Sequence, residues 1–325
     1  MRFQRLHDST IEKISRGCVA DLTRRPTGAT LFTETFCVLG APNLNPAFVI
    51  DVDGVVIGKK AGFNYPFPHP SVIASLRNAC AEGCHVSLCT GRALFATIPI
   101  IEAASLDCLH IADGGAVIAN PLTGEILHCA QLPKEQASAL IKMLQLERIH
   151  VEAYTPSSYY IEQHQIGALS GKHAEILGHQ PTLVDCLNDF VEQARLTKIF
   201  VIARDMAERG RVSCLIEYSF PELLVTWGPN PNALPAQYGW VTPRGVSKAE
   251  ALRTISQHLA IPLKQFVAVG DTMADWEFMS LCGHAGAMGN ADPELKELVG
   301  CRHLNGVILP DVDNHGLVAI LGKRT

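Results

Sequence analysis

Residues Phe48-Val49-Ile50-Asp51-Val52-Asp53-Gly54-Val55 place two carboxylates two positions apart, at the end of a short apolar run and just before a glycine. An apolar run of this length is expected to form a buried strand, and Gly54 marks where the chain turns out of it. Both carboxylates would then emerge at the carboxyl edge of a sheet, where open α/β folds place their ligands. Residues two apart on a regular strand face the same way, so the two acids would repel unless a cation or a shared proton offsets them. The pair points to a nucleophile and an acid/base group beside a metal ion. Taken alone, the stretch also fits two turn aspartates capping a loop.

The residues that follow extend the pattern. Pro70-Ser71 opens a segment with Val72, Leu76 and Cys80 at helical spacing, closed by Gly83. Cys84 to Cys89 reads as a second strand ending in Thr90-Gly91-Arg92, a helix-like stretch runs over Ile98–Ala104, and Leu109–Ala112 leads into Asp113-Gly114-Gly115. Strands alternating with helices predict an α/β fold with a doubly wound parallel-sheet (Rossmann-like) core. Between 127 and 242 the pattern changes. Helices are expected over Lys134–Leu146 and Asp185–Arg195, and strands over His150–Tyr154, Tyr159–Gln163, Lys198–Ala203, Cys214–Tyr218 and Leu223–Trp227. That is the signature of an α+β module with an antiparallel sheet, inserted as a cap domain and left near Gly228–Asn232. The expected organisation is a core of 47–126 and 243–325, a cap of 127–242, and an N-terminal extension, 1–46, of undecided role.

Composition excludes several classes. A formal net charge of −5 over 325 residues is unlike a nucleic-acid-binding surface. No apolar run approaches the ~20 residues that span a bilayer, so a soluble chain is expected. The eleven cysteines are scattered without zinc-ligand spacing, which points to small core residues in a reducing cytoplasm. Arg2, Arg5, Lys13, Arg16, Arg24 and Arg25 outnumber Asp8, Glu12 and Asp21 in the extension, but no signal-peptide segment is visible there.

Three further groups stand at predicted strand ends or helix starts. Thr90 follows the second strand and can donate to a phosphate oxygen, or cap a helix, while Gly91 permits close backbone approach. Lys248 lies in Ser247-Lys248-Ala249-Glu250, where Ser247 and Glu250 form a capping box and place Lys248 at the first helical position. A lysine there is disfavoured by the helix dipole unless an anion is bound; a solvated lysine at a helix start is the alternative. Asp271 and Asp275, in Gly270-Asp271-Thr272-Met273-Ala274-Asp275, follow the strand Phe266–Val269. They would share a helix face and suit a hard cation such as magnesium, or they could merely cap the helix.

Together, Asp51-x-Asp53-Gly54-Val55, Thr90-Gly91-Arg92, Lys248 and Gly270-Asp271-x-x-x-Asp275 resemble, in order, the four motifs of haloacid dehalogenase superfamily phosphatases. Asp113–Ile118, Gly245–Lys248 and Ala287–Ala291 further resemble the Cof-type branch, whose cap lies between motifs two and three. The resemblance covers about residues 47–325. It implies Asp51 as the nucleophile forming an aspartyl-phosphate and Asp53 as the acid and later the base. It implies Thr90 and Lys248 as holders of the phosphoryl oxygens. Mg2+ would sit on Asp271, the Asp51 carboxylate and the Asp53 backbone carbonyl, with Asp275 ligating or supporting it. Gly91, Arg92 and Asn290 are expected near the substrate. Two positions depart from the branch: Ala274 and Asp113 stand where asparagine is common, and Asp113 brings an extra negative charge near the substrate mouth.

The expected function is therefore a magnesium-dependent phosphatase acting on a small phosphorylated metabolite, with a sugar phosphate as first guess. A phosphotransferase or phosphomutase on the same scaffold and a non-catalytic phosphometabolite-binding protein are the alternatives. Among cap residues, Tyr154, Tyr159, Tyr160, His164, Arg195 and Lys198 could face the cleft or finish the cap's own surface. The sequence does not set the oligomeric state.

Overall fold

A computed structural model describes residues 46–228 and 234–321. All but the last residue of the extension expected at 1–46, and residues 229–232 of the expected exit, fall outside the described residues.

In chain order the first part runs β1 (Ala47–Ile50), α1 (Pro70–Ala81), β2 (His85–Leu88), α2 (Leu94–Ala104), β3 (His110–Ala112), β4 (Val117–Asn120) and β5 (Glu125–Cys129). The middle holds α3 (Lys134–Leu146), β6 (His150–Tyr154), β7 (Tyr159–Glu162), α4 (Ala168–Leu177), β8 (Thr182–Val184), α5 (Leu187–Gln193), β9 (Lys198–Ala203), α6 (Met206–Ser219), β10 (Leu223–Gly228) and β11 (Gln237–Pro243). The chain then returns through α7 (Lys248–Leu259), β12 (Phe266–Gly270), α8 (Trp276–Met279), β13 (His284–Ala287), α9 (Pro293–Gly300), β14 (Gly306–Ile308) and α10 (Val318–Leu321).

Five strands form a sheet in the order β14-β13-β12-β1-β2, with every neighbouring pair parallel. The α/β expectation holds here. All four residues of β1 are buried, because the strand is central and carries side chains into apolar layers on both faces. Register then does the positioning. Ile50 lies level with Val269 of β12 and Leu88 of β2, so Asp51, Thr90 and Asp271 emerge side by side at the carboxyl edge.

The middle segment forms a six-stranded sheet, β10-β11-β9-β6-β7-β8, antiparallel except where β7 meets β8. Alternation divides its side chains. Val151, Ala153, Ile199 and Val201 pack under α3, α5 and α6 through Leu140, Ile141, Val191, Val212 and Ile216. Tyr154, Phe200 and Ile202 join Tyr159, Tyr238 and the ring of Phe95, which the first part contributes from α2. Phe95 lies 5.9 Å from Tyr154 and 6.0 Å from Tyr159 in stacked geometry.

Glu152 also belongs to this second face and is fully buried. His173 Nδ1 stands 2.9 Å from its carboxylate, His150 Nε2 3.0 Å, and the Tyr154 hydroxyl donates at 3.1 Å. Burial pushes the carboxyl up, but the two histidines outweigh it and bring it down to about 2.

One predicted strand is corrected. Cys214–Tyr218 lies inside α6. Its short apolar run is ambiguous in isolation. The structure resolves the ambiguity by an Asp205 side chain that caps Glu208 N at 2.9 Å and by burial of Val212 and Ile216, four apart on one helix face.

Candidate active site

The geometry begins where β1 stops. The strand ends at Ile50, so its two-residue periodicity does not extend to both acids, and they diverge. Asp51 points inward with its side chain 8% exposed, whereas Asp53 sits in the following turn with its side chain 58% exposed. Gly54 has φ +81°, and a Cβ there would lie 1.9 Å from Asp271 Oδ2, so the turn passes against the Asp271 carboxylate with no room for a side chain.

Lys248 occupies the first position of α7, with Ser247 Oγ accepting from Glu250 N at 3.2 Å. Its ammonium bridges two acids, Asp51 Oδ1 at 2.6 Å and Asp275 Oδ1 at 2.7 Å. The other Asp275 oxygen accepts from Asp271 N at 3.2 Å, Thr272 N at 3.1 Å and Thr272 Oγ1 at 3.1 Å. Both Asp275 oxygens are thus engaged, and the residue braces the Gly270–Asp275 loop against Lys248. Asp271 is different. Its Oδ2 lies 3.4 Å from Asn290 Nδ2, and its Oδ1 is buried with no hydrogen-bond partner among the described residues. Asn290 ties the loops together, donating to Gly54 O at 2.8 Å and accepting from Val312 N at 2.9 Å.

Carboxylate oxygens of Asp51, Asp271 and Asp275 lie within 4.8 Å of one another. The cluster sets three acids against one ammonium, and their titration reflects the excess. Burial and then the charge of Asp275 hold the Asp51 carboxyl well above its usual range, against the pull of Lys248. Burial, then Asp275 and Asp53, push Asp271 up to about 7. Burial would lower the Lys248 ammonium, but Asp51 and Asp275 outweigh it and hold it well above its ordinary value. An orphaned buried oxygen among hard oxygen donors carrying surplus negative charge fits a small divalent cation. Asp53 could contribute only its backbone carbonyl, because its carboxylate faces elsewhere.

That carboxylate is gripped by Arg92 from two nitrogens, Nε to Oδ2 at 2.8 Å and Nη2 to Oδ1 at 2.6 Å. Partial desolvation raises the Asp53 carboxyl, but the charge and hydrogen bonds of Arg92 outweigh this and the net direction is down. Thr90 is buried beside this pair and does not cap α2, whose N-cap is Ala93. Its Oγ1 accepts from Arg92 N at 3.0 Å. Gly91 joins the two.

Among the predicted cap residues, Tyr154 and Tyr159 are buried in the aromatic seam, and Tyr160 packs on Phe190 at 4.0 Å. His164 and Arg195 are exposed. Lys198 is not a surface residue: it is 2% exposed and pairs with Asp113 at 2.7 Å. Sequence reasoning also missed Asp292, whose Oδ2 accepts from Met273 N at 2.9 Å and steadies the loop carrying Asp271. Its place just after Gly289-Asn290-Ala291 was the available signal.

Comparison with known proteins gives the family and the fold. A family model described as haloacid dehalogenase-like hydrolase matches residues 48–321. Phosphatase YwpJ of Bacillus subtilis (strain 168) is 25% identical over 288 residues, covering 84% of this chain and 97% of that protein. A solved haloacid dehalogenase-like hydrolase from Bacteroides thetaiotaomicron superposes with a TM-score of 0.73 at 16% identity, covering 86% of this chain and 98% of that one. A solved sugar phosphatase of HAD subclass IIB gives a TM-score of 0.65 at 18% identity over 84% of this chain and 96% of its own.

Proposed function

The chain belongs to the haloacid dehalogenase-like hydrolase family as a Cof-type phosphatase, and we propose that it hydrolyses a small phosphorylated metabolite, a sugar phosphate, with magnesium and through an aspartyl-phosphate. One observation carries the reading: Lys248 bridges Asp51 and Asp275 while Asp271 keeps a buried oxygen unpartnered beside them. The sugar-phosphate class rests on the likeness to the solved sugar phosphatase.

In this reading Asp51 Oδ attacks phosphorus, and the leaving oxygen takes a proton from Asp53. Asp53 then accepts a proton from the water that attacks the aspartyl-phosphate. Thr90 and Lys248 would hold phosphoryl oxygens, and Asp271, the Asp51 carboxylate and the Asp53 carbonyl would hold the cation, with Asp275 in support. Magnesium would supply neutralisation of charge on the transferring phosphoryl group. Arg92 keeps Asp53 ionised as it stands, so the acid role requires Arg92 to let go. An arriving anionic ester offers the guanidinium an alternative partner, which makes Arg92 a substrate contact and releases Asp53 to take up its proton. Residues 127–242 would act as the cap over a core of 47–126 and 243–325. Cytoplasmic residence belongs to the same reading, supported by Cys89 and Cys282 packed as core side chains.

The Asp51→Asn variant should keep its fold and lose phosphate release from p-nitrophenyl phosphate in the presence of magnesium. Full residual turnover would reject the nucleophile assignment. A panel of phosphorylated metabolites, assayed with and without magnesium, then identifies the substrate.

A further inference from the structure

We propose that Lys198 and Asp113 form a positioning lock, through which seating of the middle segment sets the loop of Thr90 and Arg92 and the helix start of Lys248. The inference rests on the phosphatase reading above for the meaning of those three groups, and on geometry for everything else.

Lys198 is the first residue of β9, in the middle segment, yet its ammonium reaches the first part of the chain. It lies 2.7 Å from Asp113 Oδ1 and donates to Gly91 O at 3.2 Å, over the Tyr154 ring at 4.8 Å. Both partners are buried, Lys198 with 2% and Asp113 with 0% of its side chain exposed. A charge pair this dry is no stronger a fastener than an apolar pair of equal volume. What distinguishes it is its place.

Asp113 opens the turn Asp113–Gly115, and this turn touches both sides of the site. On one side Asp113 N donates to Arg92 O at 2.7 Å and Gly114 N to Thr90 O at 3.0 Å. Asp113 Oδ2 accepts from Leu94 N at 3.4 Å. The loop that carries Thr90 and Arg92 is therefore held by this turn. On the other side Gly115, with φ +108°, passes so close to the N-terminus of α7 that a Cβ would lie 2.2 Å from Ser247 O and 3.0 Å from Lys248 N. The Lys248 backbone thus rests on the same three residues.

Trp240, from β11, covers the turn from the same segment, its ring 3.7 Å from a Cβ placed on Gly91 and its Nε1 3.4 Å from one on Gly114. Lys198 supplies the counter-charge for Asp113 only while the middle segment is seated. Lifting that segment strips the turn of its cation and the Gly91 carbonyl of its donor in one motion, and Thr90, Arg92 and Lys248 lose their common support. Asp113, an extra charge by sequence alone, is by this geometry the receptor for the lysine.

The test uses the full chain and three variants: Asp113→Asn, Lys198→Met and the double variant carrying both. Lys198→Met alone strands a buried carboxylate and is a folding risk, so the double variant, which leaves no orphan charge, is decisive. Two readouts are taken, turnover of p-nitrophenyl phosphate with magnesium and hydrogen exchange of backbone amides.

The lock predicts that the double variant melts within a few degrees of wild type yet loses about tenfold or more in kcat, with KM changing less than threefold. Exchange should rise at the Leu94, Asp113 and Gly114 amides while β1 and β12 stay protected. A double variant with wild-type kcat and wild-type exchange at those amides overturns the lock and leaves a plain structural ion pair. If wild type itself shows no Asp51-dependent turnover, the phosphatase reading fails, and the exchange pattern alone decides the lock.

Discussion

Substituting alanine at Gly54 separates placement of the Asp271 carboxylate from simple backbone strain. The new Cβ would stand 1.9 Å from Asp271 Oδ2, and real contacts essentially never fall below 3.0 Å, so one of the two must move by at least 1.1 Å. A displacement of about 1 Å at a reacting centre costs on the order of 100-fold in rate. Positive φ adds roughly 1–2 kcal/mol of backbone cost for a residue with a Cβ. Gly62 provides the control, because it has φ +74° with nothing within 4 Å of the Cβ position. Gly62→Ala should therefore show only the stability loss, about 1–2 kcal/mol in a urea melt, with turnover within twofold of wild type. Gly54→Ala should lose roughly 100-fold in p-nitrophenyl phosphate turnover and most of the magnesium-dependent rise in Tm. Wild-type turnover in Gly54→Ala, or an equal activity loss in Gly62→Ala, would refute the argument that Gly54 is glycine to admit Asp271.

Three further outcomes follow from the charges at the site. The Asp271 carboxyl, held at about 7, must shed its proton for a cation to bind. Affinity for magnesium by calorimetry should thus be about tenfold weaker at pH 6 than at pH 8, with proton release at the lower pH; equal affinities would contradict this. Because the folded value lies above the unfolded 3.8, the group's contribution to cation-free stability is complete below about pH 4 and gone once pH has risen through 7. Lys248→Met should cost roughly 3–5 kcal/mol by leaving Asp51 and Asp275 buried against each other. Adding Asp275→Asn should recover part of that loss in the same denaturation assay, whereas a fully stable single variant would argue against the bridge.

The sequence carried the site better than its surroundings. Asp51, Thr90, Lys248 and Asp271 were visible because each follows an apolar run or a capping signal that marks a strand end or helix start. Parallel register then makes strand ends coincide, a consequence of the fold rather than of any one motif. Asp53 was harder to place, since strand periodicity has no force past Ile50, where the strand stops. The seam was hidden for a related reason. Alternation along β9 marks Lys198, Phe200 and Ile202 as one face, but local pattern does not say what covers that face. Lys198 therefore read more readily as surface than as cleft, until Asp113, 85 positions earlier in the chain, was brought to it. Cys214–Tyr218 failed because five residues are too few for a period to declare itself.

The buried Glu152 cluster bears on how the middle sheet assembles. Its carboxylate meets His150, His173 and Tyr154 on the seam face, with Val151 and Ala153 on the opposite side in the apolar core. Sliding β6 by a single position against β9 would turn the ion into hydrocarbon and leave the His173 imidazole without its acceptor. Such a misalignment is heavily penalised, so this carboxylate acts as an indexing pin for the register of β6 against β9.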